Sequence, residues 1–218
     1  MKQRYPLFVL LFLVVCQVPY AKENPVKAAK SIVLPAPQTS GGMPLMQALM
    51  KRQSAREFSA KELTAQELSN LLWAADGVNR PGLGKRTAPS ALNWQEVDIY
   101  VVKADGVFLY NAQKQALITV SGEDSRALAG MQPFVKNAPL NLVFVADLAK
   151  INKGSEEYKM FYAAIDTGFV SENVYLYCAS AGLATVVRDS VEKDKLSAAL
   201  KLKATQKIIA AQTVGYPK

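Results

Sequence analysis

Apolar positions first fall into a helical rhythm at Leu45, Met46, Leu49 and Met50, just after Pro44, whose fixed φ suits a first helical turn. A second run, Leu68, Leu71, Leu72 and Ala75, follows Thr64 with Glu67 three residues on, which is the pattern of a capping box, and it stops near Gly77. The rhythm then changes. Val97 to Val102 reads as a strand, Asp105-Gly106 as a tight turn, and Val107 to Tyr110 as the antiparallel return. Leu140 to Ala146 is nearly all apolar, as a strand covered on both faces should be. Residues 156–181 predict one long helix with Phe161, Ile165, Phe169, Leu176 and Ala179 inward and Gly182 at its C-terminal cap. Leu183 to Val187 predicts a strand, Glu192 to Leu200 a short helix, and Lys207 to Val214 a final strand. Hairpin-paired strands mixed with helices predict an α+β fold and not a doubly wound parallel sheet.

The two ends of this pattern differ from its middle. Lys2 and Arg4 precede an apolar run from Leu7 to Cys16, then Pro19-Tyr20-Ala21 and the polar Lys22-Glu23-Asn24. That is the order of an export signal, and ten apolar residues are too few to span a bilayer. Residues 1–21 are therefore expected to be a signal peptide and the mature chain to be exported, periplasmic or secreted, with no membrane span. An uncleaved anchor or a lipid on Cys16 is the weaker alternative, since Val15 is bulky for lipidation. Residues 22–42, with Pro25, Pro35, Pro37, Gly41 and Gly42, read as an extended arm, and 43–218 as the folded domain. Between Gly77 and Asn93 there is little periodicity, which predicts a long, functional loop.

Composition narrows the chemistry. There is no histidine, which excludes Ser-His-Asp and Cys-His catalysis and histidine-held zinc or haem. The two cysteines, Cys16 and Cys178, cannot make a metal site alone, and Cys178 sits among apolar residues as a buried thiol. Trp73 and the tyrosines of 158–177 read as core. Without the first 21 residues the chain keeps 24 basic against 18 acidic side chains, a surplus of +6 that suits a phosphate-bearing ligand or simply keeps the protein soluble. No basic run is interleaved with aromatics, so nucleic acid is not expected as a partner.

Gly82-Leu83-Gly84-Lys85-Arg86-Thr87 is not a phosphate loop, because position 79 is Asn and Arg86 displaces the hydroxyl that would hold magnesium. No G-x-G-x-x-G follows a strand either. The sharper cluster is Lys51-Arg52-Gln53-Ser54-Ala55-Arg56-Glu57-Phe58. If the chain leaves the helix extended, Arg52, Ser54 and Arg56 share one side and Phe58 anchors the segment. Two guanidinium groups and a hydroxyl in a row can clamp a phosphate, although a solvated helix end whose cations meet the dipole has the same composition. In Pro89-Ser90-Ala91-Leu92-Asn93-Trp94-Gln95, the amides of Asn93 and Gln95 can donate and accept at the edge of a planar heterocycle, or merely cap a turn.

Five stretches in this order resemble the FMN-dependent nitroreductase family: Arg52 to Phe58, Leu71-Leu72-Trp73-Ala74-Ala75, Pro89 to Gln95, Asp166-Thr167-Gly168 with Glu172-Asn173, and Gly182-Leu183-Ala184-Thr185 with Val214-Gly215-Tyr216-Pro217. Arg86 to Ala91 is also similar to the branch containing peptide-azoline oxidases. The resemblance spans 43–218 and implies an antiparallel sheet flanked by helices in an intertwined homodimer, with FMN at the subunit interface. By position, Arg52 would hold the FMN phosphate with Gln53 beside it, Ser54 the phosphate or ribityl chain, and Arg56 the region of flavin N1. Asn93 would hydrogen-bond the pyrimidine edge, and Ser90 would also belong to the cofactor-binding residues. A backbone N–H near Arg188 and Asp189 would reach flavin N5, and Lys218 would add a phosphate charge. No metal is implied.

The resemblance implies an exported oxidoreductase taking electrons, for instance from NAD(P)H, and reducing small electron-poor acceptors such as nitroaromatics, quinones or enones. No side chain would be catalytic in its own right, because the flavin carries the chemistry. Two other readings share the fold: an FMN-dependent oxidase or dehydrogenase of an organic or peptide donor, and a secreted binding protein that has lost the flavin.

Overall fold

The computed structural model describes residues 30–218 of the chain besides Met1, so the expected signal peptide lies outside the described residues. Seven strands form one sheet: β1 (Ser31–Val33), β4 (Val97–Lys103), β5 (Gly106–Asn111), β6 (Ala116–Ser121), β7 (Leu140–Asp147), β8 (Ala184–Arg188) and β9 (Gln206–Gly215). A small separate hairpin pairs β2 (Val78–Arg80) with β3 (Lys85–Arg86). Across the sheet the order is β1-β6-β5-β4-β7-β9-β8, and every pairing is antiparallel. Among the described residues four α-helices accompany it: α1 (Leu45–Lys51), α2 (Ala65–Asp76), α3 (Glu156–Ala181) and α4 (Lys193–Ala199).

The sheet is packed on both faces, as the apolar β7 sequence requires. Even-numbered β7 residues Leu140, Leu142 and Phe144 meet Leu71 and Leu72 of α2 and Val170, Val174 and Cys178 of α3. Odd-numbered Val143 and Val145 meet Leu196 and Leu200 at α4 and Val135 of the segment joining β6 to β7. This is the α+β arrangement expected from the sequence.

The helix boundaries follow their caps. Thr64 accepts a hydrogen bond from the Glu67 amide while Glu67 reaches back to the Thr64 amide, completing the capping box at α2. Gly182 closes α3 in the left-handed conformation, φ +69°. Thr64→Ala removes the capping hydroxyl and should lower stability by about 1 kcal/mol, read as a lower denaturant midpoint at unchanged slope.

Two expectations are corrected, on the loop after Gly77 and on α3. The described part of the arm lies against the domain. β1 pairs with β6, Leu34 is buried, and the Pro35 and Ala36 carbonyls accept from Ser69 and Gln66 of α2. The loop after Gly77 holds the β2–β3 hairpin. On α3 the buried residues include Ala163, Asp166, Thr167, Val170, Ser171, Val174 and Cys178, whereas Phe161 (60%), Ile165 (38%) and Phe169 (45%) are exposed and Leu176 and Ala179 half-buried. The inward face is the small and polar one.

Candidate functional site

α1 ends at Lys51, and Arg52 leaves it with extended geometry, φ −58° and ψ 123°. From there the chain runs along the outer edge of β8, where the Ala55 amide donates to the Thr185 carbonyl at 2.9 Å. Phe58 secures the far end, tilted against Phe134 at 5.4 Å between ring centres and bridged to Pro217. A cleft of about 610 Å³ opens between this segment, the end of α3 and the start of β8. Its walls include Lys51, Arg52, Gln53, Tyr175, Thr185 and Pro217, and they carry two cations and no carboxylate.

Tyr175 organises the cleft. Its hydroxyl shares a 2.8 Å hydrogen bond with Ser54 Oγ and accepts the Val187 amide at 3.0 Å, and the Arg52 guanidinium lies 5.4 Å from its ring centre. That cation–π contact presets Arg52 without consuming its donors. Cys178 forms part of the floor, fully buried, and burial pushes its thiol far above the ordinary range, so it is a packing residue and not a nucleophile.

Of the nine residues singled out from the sequence, Arg52 and Gln53 line the cleft and Ser54 stands at its wall. Arg56 is exposed two residues further along the same segment, and Lys218 follows Pro217. Ser90 and Asn93 lie elsewhere. Their loop is tied to α3 at Asp166, nine residues before Tyr175, which is about 13 Å along a helix. In that loop the Gln95 amide joins Asn93 Oδ1 at 3.1 Å to the Gly84 carbonyl at 3.0 Å, and Leu92, Asn93 and Gln95 all have positive φ. One chain does not bring the two clusters together.

Strand alternation decides the fate of Arg188. Thr185 faces α3, so Arg188, three residues on, faces the opposite side of the sheet. There it is buried and donates to Thr213 Oγ1 (2.6 Å), the Ala129 carbonyl (2.8 Å) and Asn141 Oδ1 (2.8 Å), with no carboxylate partner. Burial pulls the guanidinium down to about 10, which still leaves it charged at neutral pH. Its side chain is thus unavailable to the cleft. Asp189 is exposed and paired with Lys193 at 2.8 Å. The backbone that follows β8 remains the part of this segment free to serve a ligand.

Tyr175 was not distinguished by sequence reasoning from its neighbours Tyr158, Tyr162 and Tyr177. Its position three residues before Cys178 on the buried face of α3 was the available signal. Among the described residues no group of three or more cysteine or acidic side chains is placed to hold a metal ion, and no helix is long and apolar enough to cross a membrane.

Comparison with known proteins agrees with this architecture. A Methanocaldococcus jannaschii protein described as a candidate nitroreductase is 32% identical over 165 residues, covering 71% of this chain and 83% of its own. The crystal structure of a candidate nitroreductase from Ralstonia eutropha superposes with a TM-score of 0.82 at 40% identity, over 86% of this chain and 90% of that one. The NADPH:FMN oxidoreductase of Vibrio harveyi, solved with NAD+, shares the fold at a TM-score of 0.59 and 22% identity, over 80% and 69% of the two chains. Residues 49–216, from the end of α1 through the cleft to Tyr216, match the nitroreductase family as a whole, and the chain belongs to that family.

Proposed function

We propose that this nitroreductase-family oxidoreductase is an FMN enzyme that passes electrons from a nicotinamide donor to small electron-poor acceptors, nitroaromatics, quinones or enones. The observation that carries the reading is the cleft itself, whose size suits a small-molecule site and whose walls offer two cations and no carboxylate. An anionic phosphate fits those walls. The NADPH:FMN oxidoreductase likeness supports the same choice of cofactor.

In this reading Arg52 and Lys51 hold the phosphate, Ser54 and Gln53 the polyol chain, and Arg56 lends positive charge where reduction accumulates negative charge. Bound FMN would supply two-electron chemistry, which this chain's own side chains lack. The chain would act as a homodimer. Phe161, Ile165 and Phe169 recur at four-residue spacing on the outer face of α3, and α1 exposes Leu45, Met46, Leu49 and Met50. Exposed apolar faces of this kind mark interfaces, and a second copy is what would deliver Ser90 and Asn93 to the Arg52 cleft. Export follows from the order of the first 24 residues.

The test is an absorbance spectrum of the purified protein before and after FMN addition, followed by NADH or NADPH consumption with a nitroaromatic or quinone. The expected result is a bound flavin spectrum and acceptor-dependent oxidation of the nicotinamide. A colourless protein that takes up no FMN would sink the proposal.

A further inference from the structure

Glu96 joins the Ser90–Gln95 loop to β4 and is completely buried, a setting a glutamate occupies only when paired or neutral. Among the described residues neither of its carboxyl oxygens receives a hydrogen bond. Gln95 and Val97, on either side of Glu96, line the same small cavity as Asp166 of α3, and the Asp166 carboxyl, itself 2% exposed, is the charged group that acts on Glu96. Asp166 does have a donor, since its Oδ2 accepts the Ala91 amide at 2.8 Å. A carboxylate with an N–H donor holds its charge, and one without takes the proton. That pattern suits a relay in which the Glu96 hydroxyl would donate to Asp166 while Asp166 accepts Ala91 N–H.

Other charges near the pair are already engaged. Lys150 Nζ donates to the Gln95 carbonyl at 3.2 Å and to Asp98 at 2.7 Å. Arg86 is bound to Asp76 at 2.7 Å, and Asp76 lines, with Ser90, Gln95 and Asp166, a cavity of about 10 Å³ beside the pair. What the relay grips is a strained turn. Ala91 opens it, and Leu92 (φ 48°), Asn93 (φ 58°) and Gln95 (φ 50°) follow in a backbone region that side chains disfavour. Such residues persist only where their surroundings hold them.

We propose that Glu96 and Asp166 share a single proton, and that this carboxyl–carboxylate pair is the clamp that holds the Ser90–Gln95 loop in its left-handed form. Losing the proton leaves two buried anions face to face and releases the loop. Burial pushes the Glu96 carboxyl up to about 7 against the pull of its own backbone amide, with Asp166 adding to the rise and Lys150 opposing it. Because this acid is raised on folding, the stability it contributes is complete below about pH 4.5, falls as pH rises towards 7 and is gone above. Asp76, also pushed up to about 7 by burial against the pull of Arg86, acts in the same direction. The consequence for cofactor binding rests on the function proposed above: FMN affinity should fall several-fold over the same interval, because the loop carries Ser90 and Asn93.

The experiment is carboxyl-13C NMR of the purified full chain labelled at glutamate, followed over pH. One glutamate resonance should titrate near neutrality and vanish in Glu96→Gln. In Asp166→Asn, whose amide can donate to Glu96 while its oxygen still accepts from Ala91, that resonance should move to the acid side. Glu96→Gln keeps a donor for Asp166, so its thermal midpoint should match the wild type at about pH 4 and fall less on going to about pH 8, with the Asp76 part remaining. If every glutamate titrates below about pH 5.5, no proton is shared. If one titrates near neutrality but the amide shifts of residues 91–95 ignore it, the clamp is wrong. Neither readout needs flavin. A protein that behaves as described yet binds no FMN would overturn the proposed function and leave the clamp standing.

Discussion

Arg52→Ala should weaken FMN binding by about 2–3 kcal/mol, the scale of a charge-assisted contact to an anion, or roughly 30- to 150-fold in Kd. The size of the effect comes from where Arg52 sits. It stands at the turn out of α1, half-buried, with its guanidinium against the Tyr175 ring, so little side-chain entropy is lost when an anion arrives. Arg52→Lys keeps the charge but neither the planar fork nor its stacking, and it should fall between wild type and Arg52→Ala. Fluorescence titration of the flavin measures both. Equal affinity in Arg52→Ala and wild type would remove Arg52 from the phosphate site. The fold should be indifferent, because among the described residues the side chain makes no ion pair and the segment is held by Ala55 and Phe58.

The largest stability effect is expected on the other side of the sheet. Arg188→Ala should cost about 2–4 kcal/mol, since it opens a cavity and strips the Ala129 carbonyl and Thr213 hydroxyl of a buried donor. Part of the loss is offset because a charge with no carboxylate partner no longer has to be buried. Gly130 belongs to the same unit. A Cβ there would clash with Arg188 Nε, on a side chain that three hydrogen bonds through its two terminal nitrogens hold in place, so Gly130→Ala should destabilise for the same reason. Urea unfolding measures both. An Arg188→Ala protein as stable as wild type would show the network to be dispensable. Flavin affinity in Arg188→Lys should stay at the wild-type value, because the side chain never reaches the cleft.

Sequence periodicity located most of the fold because caps and turns act locally. Thr64 with Glu67, Asp105-Gly106 and Gly182 each fix a boundary through their own hydrogen bonds or backbone freedom. It misjudged α3 because an apolar stripe says that something will be covered, not by what. Phe161, Ile165 and Phe169 form the stripe, while the buried face carries Asp166, Thr167 and Ser171, which look polar. β6 was passed over although its apolar residues are plain, and the three residues of β1 are too few to give a period among prolines. The Arg52 cluster was legible because its chemistry lies within seven residues. Glu96 and Arg188 were not, since their partners Asp166, Asn141 and Thr213 come from strands and helices distant in sequence. Without those partners in view, Arg188 reads as a residue beside the flavin and not as the centre of a buried network.

The ties on α2 bear on the order in which the molecule can be completed. Its first turn is capped from within, and the 34–38 strap crosses its side. Yet Glu67, the same residue that closes the capping box, also accepts the Tyr216 hydroxyl at 2.7 Å on both oxygens, and the Ser59 amide donates to the Tyr216 carbonyl at 2.9 Å. Residues 59–67 therefore wait for a partner that leaves the ribosome about 150 positions later. A chain whose fastening arrives that late keeps residues 59–67 short of one set of their native hydrogen bonds until Tyr216 has been made.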